Sequence, residues 1–356
     1  MTPTFDNARI LILGGTGSLG QRLFARLMSS ELGMPESVTI FSRDEAKQHY
    51  MRLAFLDNMN ATDDVIYRES TRRAKFVIGD VRRPSDMRRE VAKADVIFHA
   101  AALKQVPTCE YFGGAAVDTN VYGAINLCAA LGEVSASGRV VIGISTDKAC
   151  KPVNLMGMTK AIQERVLAQA NLELPGCRLV NVRYGNVMAS RGSAIPMFID
   201  LVRQGRPIPI TDPRMTRFLM TLDQSVDLIF NAYRHAHPGE TYLPIVPSAT
   251  VVDIARAVAE DDQYVTRDVG IRPGEKLHEV LVSEEERPRA EYRGENIVIL
   301  PILPELRSST LSDRPLPFDG EYTSAADTLA PAAVLELLQC HGLTLSTAPV
   351  GQEIYR

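Results

Sequence analysis

The chain contains no tryptophan and only five cysteines, Cys109, Cys128, Cys150, Cys177 and Cys340. No CxxC pair occurs among them, which excludes a zinc ribbon or a disulfide frame and reads as reduced thiols of a cytoplasmic protein with no metal site. Positive charge is not in excess: the net charge is -4 and no long basic face is evident, so no nucleic-acid partner is expected. No apolar run reaches spanning length, and MTPTFDNAR lacks the basic and apolar regions of a leader, so neither a membrane segment nor a signal peptide is expected. What remains is a chain of 356 residues, 45% hydrophobic and 23% charged, large enough for one α/β domain with a smaller appended lobe.

What is present concentrates first in residues 8–20, ARILILGGTGSLG. Arg9 to Leu13 has the pattern of a strand buried on both faces at the centre of a parallel sheet. It runs into Gly14, Gly15, Thr16, Gly17, Ser18, Leu19 and Gly20, and Gln21 to Met28 then takes up helical spacing with Leu23, Phe24 and Leu27 on one face. A strand, a glycine turn and a helix make a phosphate cradle. The glycines let the backbone approach a pyrophosphate, and the helix start offers N–H groups and the positive end of a dipole.

Strand and helix patterns alternate through the first half. The chain therefore reads as α/β, a Rossmann-type doubly wound parallel sheet with a smaller C-terminal substrate-binding lobe. Residues 1–187 are expected to form the dinucleotide domain and 188–300 mainly the lobe, with later segments returning to the sheet; 301–356 would be a C-terminal arm and helix. The second strand, Ser37 to Phe41, ends at Ser42, Arg43 and Asp44, with Lys47 one helical turn on. An acidic residue at the strand end suits NAD, whereas Ser and Arg suit a 2′-phosphate, so NADP is favoured over NAD.

Asp80 and Val81 follow a third strand, Lys75 to Ile78; Asp80 either faces the adenine or caps a helix. Ala100, Ala101 and Ala102 follow a fourth, Asp95 to His99, where small residues let backbone pass close to a cofactor. Asn120, in a helix expected over Asp118 to Leu131, reads as structural. A fifth strand, Arg139 to Ser145, delivers Thr146, Asp147 and Lys148, and a helix beginning near Met156 carries Lys160. The sixth, Arg178 to Val182, leads into Arg183, Tyr184, Gly185 and Asn186. Beyond it the alternation breaks down. Pro301 to Phe318 reads as an irregular arm, and a helix around Ala332 to Leu338 closes the chain.

Seven stretches carry a resemblance: GGTGSLG (14–20), FSRDEAKQ (41–48), HAAALKQVP (99–107), STDKACKPVNLMGMTK (145–160), RYGNVMASRGS (183–193), ITDPRMTRF (210–218) and IRPGEKLHE (271–279). In that order they resemble the extended short-chain dehydrogenase/reductases, and within them the nucleotide-sugar 4,6-dehydratases of polysaccharide biosynthesis that act on UDP-N-acetylglucosamine. One position departs. The superfamily's tyrosine, four residues before the helix lysine, is Met156 here, and a thioether cannot take a proton. Some dehydratases of the group are similar in carrying methionine, and Asp147, directly or through water, would then manage the proton of the 4-hydroxyl.

The resemblance implies a redox cycle without net oxidation. Hydride leaves sugar C4 for NADP+, the resulting ketone acidifies C5–H, water departs from C6, and hydride returns to C6. Such chemistry needs an acid and a base side by side with pKa values near neutrality. The implied assignments are Lys148 to the C5 proton and Asp147 to C6. Burial would raise the acid's pKa and lower the ammonium's, provided the two side chains point to different atoms.

Further assignments follow from the same resemblance. Thr146 would bond the 4-hydroxyl and Lys160 the nicotinamide ribose, with Tyr184 beside the cofactor. Lys104 and Asn186 would touch the sugar. Ser190, Arg191, Arg217 and Arg272 would hold the UDP group, because guanidinium forks match phosphate oxygens. Thr211 and Met215 belong to the same substrate set, and Glu275 would hold the uridine ribose or pair with Arg272. Glu110, beside Cys109, reads as a cap for the helix that follows.

A homo-oligomer, dimer or hexamer, is a family expectation; the apolar helices around Val117 to Leu131 and Ala161 to Ala168 either supply its face or pack on the sheet. Return of the C5 proton to the same or the opposite face stays open. Two other readings stand beside the dehydratase. A nucleotide-sugar 4-epimerase uses the same hydride chemistry at C4 but needs no acid/base pair at C5 and C6, so Asp147-Lys148 argues against it. A non-catalytic NADP(H)-binding module has only Met156 in its support.

Overall fold

The computed structural model describes residues 4–56, 73–134, 138–188, 193–307, 316 and 318–348. Ser190, Arg191 and most of 308–317 lie outside the described residues. The first half alternates: β1 (Arg9–Leu13), α1 (Ser18–Met28), β2 (Ser37–Ser42), α2 (Glu45–Leu56), β3 (Ala74–Ile78), α3 (Pro84–Val91) and β4 (Val96–His99). Then come α4 (Val106–Tyr111), α5 (Gly113–Ala116), a π-helical segment (Val117–Tyr122), α6 (Gly123–Gly132), β5 (Val140–Ile144), α7 (Leu155–Glu173) and β6 (Arg178–Val182). The remainder is α8 (Ala194–Arg203), β7 (Ile208–Ile210), β8 (Thr216–Phe218), α9 (Leu222–His235), β9 (Thr241–Pro244), β10 (Ser248–Thr250) and α10 (Val251–Ala259). It ends with β11 (Thr266–Asp268), β12 (Val280–Val282), β13 (Ala290–Arg293), β14 (Asn296–Ile299), β15 (Tyr322–Thr323) and α11 (Pro331–Cys340).

Nine strands form one sheet in the order β13-β14-β9-β6-β5-β4-β1-β2-β3. It is parallel from β3 across to β9, and β14 and β13 add antiparallel to that edge. Alternation along the strands divides the core into two layers. Ile10 and Ile12, with Val38, Ile40 and Phe98, pack against Leu23, Phe24 and Leu27 of α1 and Ile229 of α9. Leu11 and Leu13, with Phe41 and Ile97, pack against Met87 and Val91 of α3, Leu127 of α6 and Leu167 of α7. Both faces are covered, as an apolar parallel sheet requires. A separate apolar cluster joins Phe198 and Ile199 of α8, Ile208 and Ile210 of β7, Val258 of α10 and Val334 and Leu338 of α11.

One helix differs from expectation. It starts at Gly113, ahead of Asp118, and passes through the π-helical segment. Glycine weakens a helix but does not forbid one, and here Ala116 is buried against Met156 and Cys109. The wider turn holds Thr119 and Asn120 inward, both buried. Strand order reverses between β1 and β4, and a sheet of this kind opens a crevice at the C-terminal ends of its strands there. No helix among the described residues is long and apolar enough to cross a membrane.

Candidate active site

A cleft of about 880 Å3 opens at those strand ends, lined by segments from both layers. Its walls include Gly14, Thr16, Gly17, Ser18, Leu19, Gly20, Ser42, Arg43, Lys47, Asp80, Val81, Ala100, Ala101, Ala102, Lys104, Thr146, Asp147, Lys148, Met156, Lys160, Tyr184 and Asn186. Ser145 and Gly185, expected beside Thr146 and Tyr184 at the strand ends, join them, as does Thr119, which sequence reasoning did not single out.

The glycine end is built for backbone. Gly14 has φ +77°, and a Cβ there would stand 2.6 Å from the Cα and N of Ala101. Alanine at Gly14 would thus collide with the chain leaving β4. No side chain caps α1 at Gly17 and no acidic residue sits in its first turn, leaving that helix start suited to an anion. Ser42 Oγ accepts from Gln48 Nε2 at 3.1 Å, and Lys47 Nζ lies 2.7 Å from Asp44 Oδ2. Asp80 is not a helix cap, since Arg83 precedes α3. The Arg82 guanidinium, 2.5 Å from Asp80 Oδ2, holds that carboxyl below its ordinary range. Asn120 accepts the Leu103 N–H at 2.8 Å and donates to the Leu103 carbonyl and to Thr159 Oγ1. It ties the loop after β4 to α7, the structural role expected. The neighbouring Thr119 hydroxyl has no partner among the described residues.

The other end is built from charge. Thr146 caps a short 3-10 turn, Asp147–Ala149, and donates to Asp147 Oδ1 at 2.8 Å. Asp147 is fully buried, and its Oδ2 has no partner among the described residues. Lys148 Nζ lies 3.1 Å from Asp147 Oδ1 and 3.2 Å from Glu279 Oε1. The two side chains therefore do not point to separate atoms, and the expected depression of the Lys148 pKa is corrected. Burial alone would lower it, but the charges of Asp147 and Glu279 outweigh burial and raise it. Asp147 shifts as expected, raised by burial against the opposing charge of Lys148.

Lys160 behaves in the opposite way. Burial pushes its pKa down to about 7, against the attraction of Glu164. Its ammonium donates to the Ile144 carbonyl and to Gln163 Oε1. Met156, nearly fully buried, sits one turn before it at the start of α7. That helix is capped by Asn154 Oδ1, which accepts the Gly157 N–H at 2.8 Å. Glu110 adds a second acceptor for the Leu155 N–H at 2.7 Å, so it caps α7 and not the helix next in sequence. A Cβ at Gly157 would lie 2.2 Å from the Lys148 carbonyl, so the lysine helix and the Asp147-Lys148 turn meet without room for a methyl group. The Tyr184 carbonyl accepts the Asp147 N–H at 3.0 Å, and burial raises the tyrosine's own pKa.

Five residues of the expected substrate set do not line this cleft: Thr211, Met215, Arg217, Arg272 and Glu275. Thr211 Oγ1 lies 3.0 Å from Met215 Sδ. Arg217 donates to the carbonyls of Thr216, Leu277 and Lys276, and its Nε stands 3.8 Å from Glu279 Oε1. Arg272 is exposed, and Glu275 accepts its backbone N–H at 3.3 Å in place of the expected guanidinium pair.

The sequence pattern described as "Polysaccharide biosynthesis protein" matches residues 10–301. The chain belongs to that family. Among its relatives is a protein of Rickettsia massiliae named UDP-glucose 4-epimerase, 42% identical over 292 residues that make 81% of each chain. One of the same name from Rickettsia prowazekii is 42% identical over 295 residues, 82% of each. Among solved structures, Pen from Bacillus thuringiensis superposes with a TM-score of 0.80 at 28% identity, covering 94% of this chain and 99% of that one. A dTDP-glucose 4,6-dehydratase of Streptomyces venezuelae, solved with NAD bound, shares the fold with a TM-score of 0.62 at 21% identity, covering 76% and 86%. The fold is thus that of nucleotide-sugar epimerases and dehydratases.

In this family member, sequence reasoning missed three buried groups next to the cleft. Glu279 is one. The second is Arg183, 2% exposed, whose guanidinium takes Glu164 at 2.6 Å and Glu286 at 2.8 Å. It joins α7 and β6 to the turn after β12, while Ser145 Oγ donates to Glu164. The third is His99, whose ring nitrogens have no partner among the described residues and whose pKa burial pushes down to about 3. Glu279 and Arg183 stand inside quoted motifs, but nothing in their spacing says what they face.

Proposed function

We propose that the chain is an NADP-dependent nucleotide-sugar 4,6-dehydratase acting on UDP-N-acetylglucosamine. The observation that carries this reading is the buried Asp147, with one oxygen unpartnered, beside Lys148 at the mouth of the cleft. A 4-epimerase has no use for an acid and a base there. Gly14, the open start of α1 and Arg43 suit a dinucleotide pyrophosphate and a 2′-phosphate, and the Thr119 hydroxyl and Lys160 face the same space. Bound there, NADP+ would supply the acceptor for the C4 hydride and the donor for its return at C6.

The chain's own groups do the proton work. Thr146 orients the 4-hydroxyl. Asp147 starts as the carboxylate, keeps through burial the proton it receives from the 4-hydroxyl, and gives that proton to the C6 hydroxyl as water leaves. Lys148 is an ammonium in the free site; once the sugar replaces its contact with Asp147 its proton passes to solvent, and the free amine then takes the C5 proton. Met156 lies where the wider superfamily places a tyrosine, and Asp147 through Thr146 receives the 4-hydroxyl proton in its stead. Tyr111, Tyr122, Ile125 and Ile162, exposed on α4, the π-helical segment, α6 and α7, together with Phe112 between α4 and α5, support a homo-oligomer.

A second reading, UDP-glucose 4-epimerase, is favoured by the names of relatives at 42% identity. Incubating the protein with UDP-N-acetylglucosamine and separately with UDP-glucose, followed by mass spectrometry, divides the two. Loss of one water from the acetamido sugar supports the dehydratase. An isobaric galacto product, recognised by its H4 couplings in proton NMR of the same reaction, supports the epimerase, and turnover of neither removes both.

A further inference from the structure

Glu279 reaches the Asp147-Lys148 pair from a part of the chain far along the sequence. It immediately precedes β12, which pairs with β15 and not with the central sheet. Its backbone N–H donates to Ser324 Oγ at 2.9 Å, and that hydroxyl in turn reaches the Thr216 carbonyl at 3.1 Å. The side chain is 2% exposed. Oε1 stands 3.2 Å from Lys148 Nζ and 3.8 Å from Arg217 Nε, while Oε2 is buried without a partner among the described residues. The charged groups facing it are Asp147 and Lys148 on the turn after β5, Arg217 on β8 and Lys276 on its own segment. His278 turns away, bonding Thr216 Oγ1 at 2.8 Å. A glutamate whose backbone is fixed by a serine and whose carboxylate is pressed against a lysine has the geometry of a clamp.

We propose that Glu279 is a positioning residue for the Asp147-Lys148 pair, holding the Lys148 side chain as an ammonium so that Asp147 is not the only anion beside it. This rests on reading that pair as the acid and base of the proposed reaction. Two carboxylates flank one buried cation. Remove Glu279 and the cation loses one of its two carboxylate partners, while Asp147 inherits the whole of the pairing. The pH at which Lys148 gives up its proton must then fall.

The test is the protein labelled at lysine 13Cε and 15Nζ, with the Lys148 signal assigned by its loss in Lys148→Arg. Wild type, Glu279→Gln and Glu279→Asp are titrated to pH 11. Deprotonation of Lys148 in Glu279→Gln beginning at least about one pH unit below wild type, with Glu279→Asp between the two, supports the clamp. Indistinguishable Lys148 titrations in wild type and Glu279→Gln overturn it, and circular dichroism and NADP+ affinity at wild-type values show that the variant is folded. In the enzyme assay, the limb of the kcat–pH profile that reports Lys148 moves to lower pH in Glu279→Gln with KM for the sugar unchanged. A merely structural Glu279 lowers activity without moving that limb. If the wild type converts no nucleotide sugar, the functional reading fails, and the lysine titration still decides the clamp.

Discussion

The two ends of the cleft solve opposite problems. At the glycine end the chain removes side chains so that backbone N–H groups reach the ligand, and its lining segments lie close to one another in sequence, at 14–20 and 41–47. At the other end it imports charge from distant segments: Asp147 and Lys148 from the turn after β5, Arg217 from β8, Glu279 from beside β12, with Ser324 behind it. Lys148 and Lys160 condense the contrast. One is buried between two carboxylates and held as an ammonium; the other is buried among carbonyl and amide groups and brought to about pH 7. The same residue type takes either charge state because Coulomb attraction and desolvation oppose each other, and the neighbours decide which wins.

The buried Arg183 strut gives the largest effect on stability. Arg183→Ala leaves Glu164 and Glu286 buried without their cation, and a loss of ~3–5 kcal/mol in urea-unfolding free energy is expected. Asp147→Asn cannot release a proton to the leaving hydroxyl. Its kcat should fall about 10²–10⁴-fold while the dissociation constant for NADP+, measured by calorimetry, stays within about twofold. Gly157→Ala forces a methyl group into the Lys148 carbonyl. It should lower the thermal midpoint by an amount equivalent to ~1–3 kcal/mol and reduce turnover by displacing the turn that carries both charged groups.

A pH-dependent effect sharpens the contrast between the lysines. The folded-state pKa of Lys160, about 7, lies below its ordinary 10.5, so between those values the unfolded chain binds the extra proton. Stability contributed at this site is therefore low below pH 7 and rises with pH from about 7 to 10.5. Denaturant titrations across that range should show a steeper rise for wild type than for Lys160→Met. Parallel slopes would mean that Lys160 is not depressed.

Much of the parallel sheet was legible because its signals are local. Arg178 to Val182 is the sixth strand residue for residue, and the helix expected near Met156 begins at Leu155. The glycine turn announces its own backbone needs in seven consecutive residues, 14–20. The π-helical segment was not legible: the helix was expected only from Asp118, while burial of Ala116 holds helical structure from Gly113. Nor was the pairing of Lys148 with Asp147 and Glu279. Neighbouring residues on a tight turn can diverge or converge, and Glu279 is brought in only by the pairing of β12 with β15. The arginines expected to hold UDP were chosen for their chemistry, but Arg217 spends its guanidinium on carbonyls of its own lobe, a fact fixed by tertiary contacts alone.

The most direct measurement uses UDP-N-acetylglucosamine deuterated at sugar C4 and follows the label by NMR after a single turnover. The account predicts that the deuterium appears in a new methyl group at C6 of a 4-keto product that has lost one water. Deuterium still at C4 of a galacto product with no loss of water would contradict it.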